Sequence, residues 1–417
     1  MQMRVDRLRE AFNLLGPAVP KKPAIAALAA ILLKDGYAVA NDLETAVALE
    51  LPEAEEACLL PFRTLHELLK RIPGNEVMTL QQTDTHLELS WPGGKATYST
   101  FDPQDYPPFP DVEVQAEKSV DGDTLVPALV SLTPYCATAQ TRPVLCGVAM
   151  TLGENVQLAG ADGFRLGVVQ LPMSFPADGI NTIIIPTGAI GLLEHLWKHT
   201  PRPAPVADSF VGLVIARREL QLAIGRGMLR ARFGMVQMVT RLIEGSFPNY
   251  PQLIPTDNPI AVKFIAPELD RVLRGLSKLA RDGSGIVRLS WTETNMNLGV
   301  RSKDEADIEM ALPVTASAPG RIGFNIGYLL EYLKGKQGLV TLAVKTPQSP
   351  ALLQHSASPL TVVMPMFVEW PGDPKPEKPP EATEVTEAET EATEEQEVGE
   401  VEAIEQAEET EEQVADD

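Results

Sequence analysis

The chain has 417 residues, 44% of them hydrophobic, and a formal net charge of −22. That length predicts two to four domains with packed cores, and no run of about 18 apolar residues offers a helical membrane span. Cys58, Cys136 and Cys146 form no C-x-x-C pair, which points to reduced thiols in a cytosolic protein and away from disulfides or zinc.

The charge is unevenly spread. Residues 371–417 hold 19 acidic side chains against Lys375 and Lys378, a net of −17, while residues 1–370 carry only −5. A basic-protein route to nucleic acid is closed, so any cationic surface has to be local.

In chain order, MQMRVDRLREAF is charged and helical in pattern and lacks the apolar core of a signal peptide, giving a helix over 7–15 and a cytoplasmic expectation. VANDLETAVAL follows as strands around a polar turn, then CLLPFRTLHELLKRIPG as an apolar strand leading into an amphipathic helix. FDPQDYPPFPDV is rich in proline, which fixes φ and lacks a donor, so it reads as an extended linker.

The plan then repeats. A helix at 123–133, the turn of QLAGADGFRLGVV, the strand and helix of TIIIPTGAIGLLEHLWKH and the linker SFPNYPQLIP follow in the same order. A third set comprises a helix at 267–280, MNLGVRSKDEADIEMAL and IGFNIGYLLEYLKGK. Aligning Pro61, Pro186 and Asn325 brings Leu65, Ile190 and Leu329 together four residues on, and Leu68, Leu193 and Tyr332 seven on, spacings that share one helix face. The expectation is an α+β chain of three similar domains, 1–115, 116–256 and 257–370. Residues 371–417, rich in Pro, Glu, Thr and Ala, read as a disordered acidic tail.

No catalytic constellation appears. His195 and His199 lie four apart, but HLWKH lacks the glutamate of the zinc-protease motif, and a surface pair is the better reading. IGRGML sits between strands and reads as a hairpin turn, and Asp162 before Gly163 reads as a turn aspartate. There is no Walker sequence and no nucleophile elbow.

Several segments resemble the bacterial beta sliding clamp family, the beta subunit of DNA polymerase III. They are RPVLCGVAMTLGENVQLAGADGFRLGVV, TRLIEGSFPNYPQLIP, IGFNIGYLLEYLKG and TVVMPM, with ANDLETAV and STFDPQDYPPFPDV in the first domain. The resemblance is colinear over roughly 365 residues. It implies a non-catalytic protein without metal or cofactor. It implies a homodimer joined head to tail into a six-domain ring, helices inside and sheets outside, with Tyr106, Phe109, the 274–279 helix and Leu279 near the contact.

The implied partners are duplex DNA bound without sequence preference, a clamp loader, the replicative DNA polymerase and other proteins bearing clamp-binding peptides. Phosphate attraction without base readout suits sliding. The candidate DNA contacts are Lys21, Lys22, Arg63, Lys70, Arg71, Arg142, Lys198, Arg271, Arg274, Lys278, Arg281 and Lys334, and the helix in DTLVPALVSLTPYC has no base. For each, an ordinary solvated charge is the competing reading.

The implied peptide pocket has Leu145, Gly163, Phe164, Arg165, Leu166, Pro248 and Leu253 on one side. Asn325, Tyr328, Val362, Val363, Met364, Pro365 and Met366 form the other. Ala161 and Phe164 stand where the family commonly has Thr and His, and Gln252 where arginine is common, which predicts a more apolar pocket. The acidic tail is a further departure. Two rivals stay open: a clamp paralogue serving as an interaction scaffold, and an enzyme on an unrelated α+β fold.

Overall fold

The computed structural model describes residues 1–370 except 140, 203–205, 209–211, 215–216, 302–306, 357–358 and 369, with backbone alone at 206–208 and 212–214. The predicted tail lies outside the described residues. The fold is that of the unit Met1–Phe367.

One order of elements recurs three times. The first repeat is β1 (Gln2–Arg4), α1 (Val5–Leu15), β2 (Ala30–Lys34), β3 (Tyr37–Asn41), β4 (Thr45–Glu50), β5 (Cys58–Pro61), α2 (Phe62–Leu69), β6 (Val77–Gln82), β7 (His86–Trp91) and β8 (Gly94–Ser99). The second is β9 (Ala116–Asp121), α3 (Gly122–Leu132), β10 (Gly147–Thr151), β11 (Val156–Ala161), β12 (Arg165–Leu171), β13 (Thr182–Pro186), α4 (Thr187–His199), a hairpin of β14 (Val206–Asp208) and β15 (Gly212–Val214), then β16 (Glu219–Gly225), β17 (Met228–Phe233) and β18 (Val236–Arg241). The third is β19 (Ile260–Ile265), α5 (Ala266–Asp282), β20 (Ile286–Trp291), β21 (Asn295–Arg301), β22 (Asp307–Pro313), β23 (Thr315–Ala316), β24 (Gly320–Asn325), α6 (Ile326–Leu333), β25 (Leu339–Val344), β26 (Ala351–Gln354) and β27 (Leu360–Val363).

The helices form where apolar residues return every three or four positions. In α1 these are Val5, Leu8, Phe12 and Leu15; in α5 they are Leu269, Val272, Leu273, Leu276 and Ala280. Each such leucine contributes roughly 1.5–3 kcal/mol on full burial. The residues before α2, α4 and α6 are Pro61, Pro186 and Asn325, so the sequence register is also the structural one. Helices pack in pairs, α1 with α2, α3 with α4 and α5 with α6.

Two sheets run without a break from one repeat into the next. An eight-stranded sheet is ordered β5-β2-β3-β4-β18-β17-β16-β9, and a nine-stranded one β13-β10-β11-β12-β27-β26-β25-β19-β23. The seams are antiparallel: Thr45 faces Thr240 and Leu49 faces Val236 in one, while Arg165 faces Val363 and Val168 faces Leu360 in the other. Two four-stranded sheets remain, β1-β6-β7-β8 and β22-β21-β20-β24. Strands β4, β12 and β22 occupy equivalent places, as do β18, β27 and β8.

Candidate functional site

The turn after β11 builds one wall of the main cavity. Asp162 Oδ1 accepts the backbone N–H groups of Phe164 and Arg165 at 2.9 and 2.7 Å, which folds the turn, and Gly163 sits at φ +92°. The turn before β4 has the same chemistry: Asp42 Oδ1 accepts from Glu44 and Thr45. There Leu43, with φ +77°, holds the place of the glycine.

Beyond this turn opens a cavity of about 570 Å³, lined by Ala161, Gly163–Leu166, the linker 252–258, Lys345, Ser349, Pro350, Val362 and Met364. Its floor is an apolar cluster of Leu145, Ala161, Leu166, Tyr250 and Val362. Its lip is unusually greasy, because Phe164 and Leu253 are each 55% exposed and Met364 41%. Lys345 Nζ meets Asp257 Oδ2 at 3.0 Å on the rim.

Arg165 locks the base of the cavity. It donates to Asp162 at 3.0 Å, to Glu331 at 2.6 Å and to the Pro134 carbonyl at 2.7 Å. Its guanidinium lies 4.2 Å from the centre of the Tyr328 ring. Burial works against the charge, but Glu331 and Asp162 outweigh it and hold the Arg165 pKa above its ordinary value. The second and third repeats are thereby tied through side chains as well as strands; Tyr135 Oη and Thr361 Oγ1 add a buried hydrogen bond of 2.8 Å.

The structure gathers Gly163, Phe164, Arg165, Leu166, Leu253, Val362 and Met364 at this cavity. Leu145 lies beneath it, and Tyr328 reaches it only through Arg165. Asn325 caps α6 by accepting from the Gly327 N–H, Pro248 is exposed on the linker, and Pro365 and Met366 are half-buried beyond Met364. Val363 is corrected: strand alternation turns it into the core of the third repeat, away from the cavity that Val362 and Met364 face. The linker at 254–258 and the turn bearing Lys345, Ser349 and Pro350 were not anticipated, because no sequence period marks a loop that folds back over a sheet.

Tyr106 and Phe109 are also corrected. The Pro-rich segment folds back onto the outer face of β2, β3 and β4, where Tyr106 is buried and Phe109 packs beside it. Tyr106 is covered by its own chain and Phe109 is half-buried beside it. Leu279, half-buried on α5, stays within reach of an edge, since its helix packs on β22. Of the strands equivalent to those that pair in the internal seams, β8 and β22 are the two at unpaired sheet edges. On β22, Ile308 and Met310 point to the core side yet are 36% and 41% exposed. On β8, Ala96 and Tyr98 are the matching half-buried pair.

The candidate cations are exposed at Lys21, Lys22, Arg63, Lys70, Arg71, Lys198, Arg271, Arg274, Lys278, Arg281 and Lys334. Spacings of three and four set Arg271, Arg274, Lys278 and Arg281 along one face of α5. Several are partly neutralised: Lys70 by Glu67, Lys198 by Glu194 and Arg274 by Asp270. Arg63 donates to the Lys21 carbonyl at 2.8 Å, bracing the basic loop. Arg142 is corrected, because its loop carries it beside Gly163 at the cavity turn and off the helices. Among the described residues no cluster of His, Cys, Asp and Glu is arranged to hold a metal ion, and no helix is long and apolar enough to cross a membrane.

Repeated β-α-β units fused edge to edge through shared sheets, each with a helix pair, define the clamp fold. Residues 129–249 match the family model described as DNA polymerase III beta subunit, central domain. The beta sliding clamp of Synechococcus elongatus is 23% identical over 374 residues, covering 86% of this chain and 94% of that one. The structure of the DNA polymerase III beta subunit from Thermotoga maritima superposes with a TM-score of 0.76 at 20% identity, covering 88% of this chain and 99% of the other. A sliding clamp from Bartonella birtlesii bound to griselimycin gives a TM-score of 0.79 at 20% identity over the same shares. Residues 129–249 therefore match the central domain of the DNA polymerase III beta subunit, and the chain is similar to bacterial beta sliding clamps in fold and along most of its length.

Proposed function

We propose that two copies of this chain close head to tail into a ring around duplex DNA and hold a replicative polymerase to its template. The supporting observation is the pair of open edges. In each internal seam the strand equivalent to β4 pairs with the strand equivalent to β8. The same rule pairs β22 of one copy with β8 of another, and two such contacts satisfy both copies. The pairing also covers Ile308 and Met310.

The domains are 1–115, 116–256 and 257–370, the matched central domain falling inside the second. Exposed cations on the helices attract phosphate without reading bases. Retention is topological and needs no catalysis. A partner docked on the ring stays at high effective concentration at its primer end. Peptide segments of the polymerase, a clamp loader and other partners anchor apolar side chains in the cavity beside Phe164, Leu253 and Met364. The site of action is the cytoplasm, where the chromosome lies.

Solution mass and loading together test the reading. The expected result is a dimer that a clamp loader places on circular duplex and that escapes once the circle is linearised. A stable monomer, or equal loss from circular and linear DNA, overturns it. The scaffold reading draws on the base-free α3, and a dimer that no loader places on DNA would favour it.

A further inference from the structure

The second helix of each repeat carries a cationic position at one fixed place, and the central repeat differs there. Lys70, His195 and Lys334 each stand nine residues beyond the aligned Pro61, Pro186 and Asn325. Position nine lies about 140° round the helix from position four, so His195 within α4, and Lys70 and Lys334 at the ends of α2 and α6, face away from the stripe that buries Leu65, Ile190 and Leu329. Two repeats use lysine, and the central one uses imidazole. No lysine or arginine on α3 compensates.

His195 belongs to a cluster. Its Nε2 lies 3.1 Å from the backbone oxygen of Asn13 on α1, and its ring centre is 4.3 Å from that of His199. The Asn13 side-chain Oδ1 meets His66 Nε2 on α2 at 3.0 Å. Two imidazoles from two repeats thus meet one asparagine, and His199 sits against the His195 ring behind them.

Resting on the reading that these helix faces meet DNA, we propose that His195, backed by His199 and His66, is the phosphate contact of the central domain, and that protonation switches it on. The charged groups nearby are already paired. On α1, Arg7 lies 3.3 Å from Glu10, and on α2, Lys70 lies 2.6 Å from Glu67. On β4, Glu50 lies 3.2 Å from Arg232. On α4, Glu194 holds Lys198, and Asp123 of α3 is turned away to Arg218 and the Trp197 indole. Arg7 also meets Glu53 at 3.5 Å, so each of these carboxylates has a cationic partner, though Glu10 and Glu53 share one.

Burial, followed by His199, holds His195 below the ordinary imidazole range, with the Asn13 carbonyl acting against them; burial and then Lys70 do the same for His66. Both are therefore neutral in alkaline solution and gain charge as the pH falls, and a polyanion bound against them draws protons in. The ring grips DNA lightly through its central arcs at high pH and more firmly at low pH.

The test measures binding of the full chain to a fluorescent linear duplex across a salt series at about pH 8 and about pH 6, bracketing the imidazole range. The wild type is expected to gain on the order of tenfold affinity at the lower pH, with a salt slope steeper by about one to two. His195→Lys should bind at pH 8 as the wild type does at pH 6 and lose the pH response. His195→Gln should lose most of that response while melting normally. A wild type indifferent to pH, or His195→Gln retaining the full response, overturns the proposal. Lys70→Gln is the reference: if it weakens binding while the His195 variants change nothing, the histidine inference falls and the DNA-facing reading stands. If the wild type binds no duplex at either pH, the DNA-facing reading itself falls, and this inference with it.

Discussion

Strands β12 and β22 hold the same place in successive repeats and meet different fates. β12 is zipped to β27, and its seam is reinforced by Arg165, Tyr135 and an apolar outer cluster. β22 has no neighbour on one side, so Ile308 and Met310 face the core direction and still meet solvent. An edge with unpaired backbone groups and a half-covered apolar row is a surface prepared for another strand. The contrast teaches that β22 offers the same kind of edge that β12 uses in its closed seam, which is what the proposed pairing with a second copy requires.

The largest effect should come from blocking the open seam. Ile308→Lys with Met310→Lys places charge in the row that pairing would bury, and should weaken self-association by at least about a hundredfold, since uncompensated buried charge costs several kcal/mol. Analytical ultracentrifugation across a dilution series reads this directly; an unchanged dimer would break the comparison.

The closed seam comes next. Arg165→Met removes one group from a largely buried ion cluster and leaves Asp162 Oδ2 and the Pro134 carbonyl without their guanidinium partner, while Asp162 Oδ1 keeps its backbone hydrogen bonds. The expected loss is about 2–3 kcal/mol by urea unfolding, toward the lower end because Glu331 is partly solvated. At the other closed seam the equivalent position is Thr45, joined to Thr240 by a 2.9 Å hydroxyl pair. Replacing both by valine should cost at most about 1 kcal/mol. Equal losses at the two seams would show that the Arg165 lock adds nothing.

The turns beside the seams differ in turn. Met364→Ala or Leu253→Ala should weaken a hydrophobic clamp-binding pentapeptide by about tenfold, the scale of losing one well-covered apolar contact. Leu43→Ala, at the corresponding turn of the first seam, should leave that affinity unchanged. Calorimetric titration distinguishes them.

The smallest effect is chemical. Burial pushes the Cys58 thiol up to about 11 and the Cys136 thiol up to about 12. Only Cys146, half-exposed near the cavity loop, should be alkylated by iodoacetamide near neutral pH, as counted by intact mass. Rapid labelling of Cys136 would mean that the core beneath the closed seam opens.

How much of this was legible follows from range. The helices and their register were readable, because Pro61, Pro186 and Asn325 precede the same four-and-seven apolar stripe, a local pattern. The turn at Asp162 was readable as turn chemistry. Placing Val363 in the pocket failed because a motif read as a block ignores the two-residue alternation of a strand. Tyr106 and Phe109 were misplaced because their linker's fold-back is set by contacts with β2, β3 and β4, far off in sequence. The open edges were missed because pairing across a seam joins residues nearly two hundred positions apart, as Thr45 and Thr240 are. His195 was weighed as half of a metal pair and read as a surface residue, and only the three-way alignment of whole repeats reveals what it replaces.

The continuous sheets have a mechanical consequence. In a closed ring every seam is a similar antiparallel ladder, but those within a chain are also bridged by a covalent linker, and those between copies are not. Tension around the hoop is therefore carried in parallel by backbone and ladder at most joints, and by the ladder alone at the β8–β22 joints. In the proposed ring those joints would act as fuses, the first to part under strain, with each domain left intact to reseal.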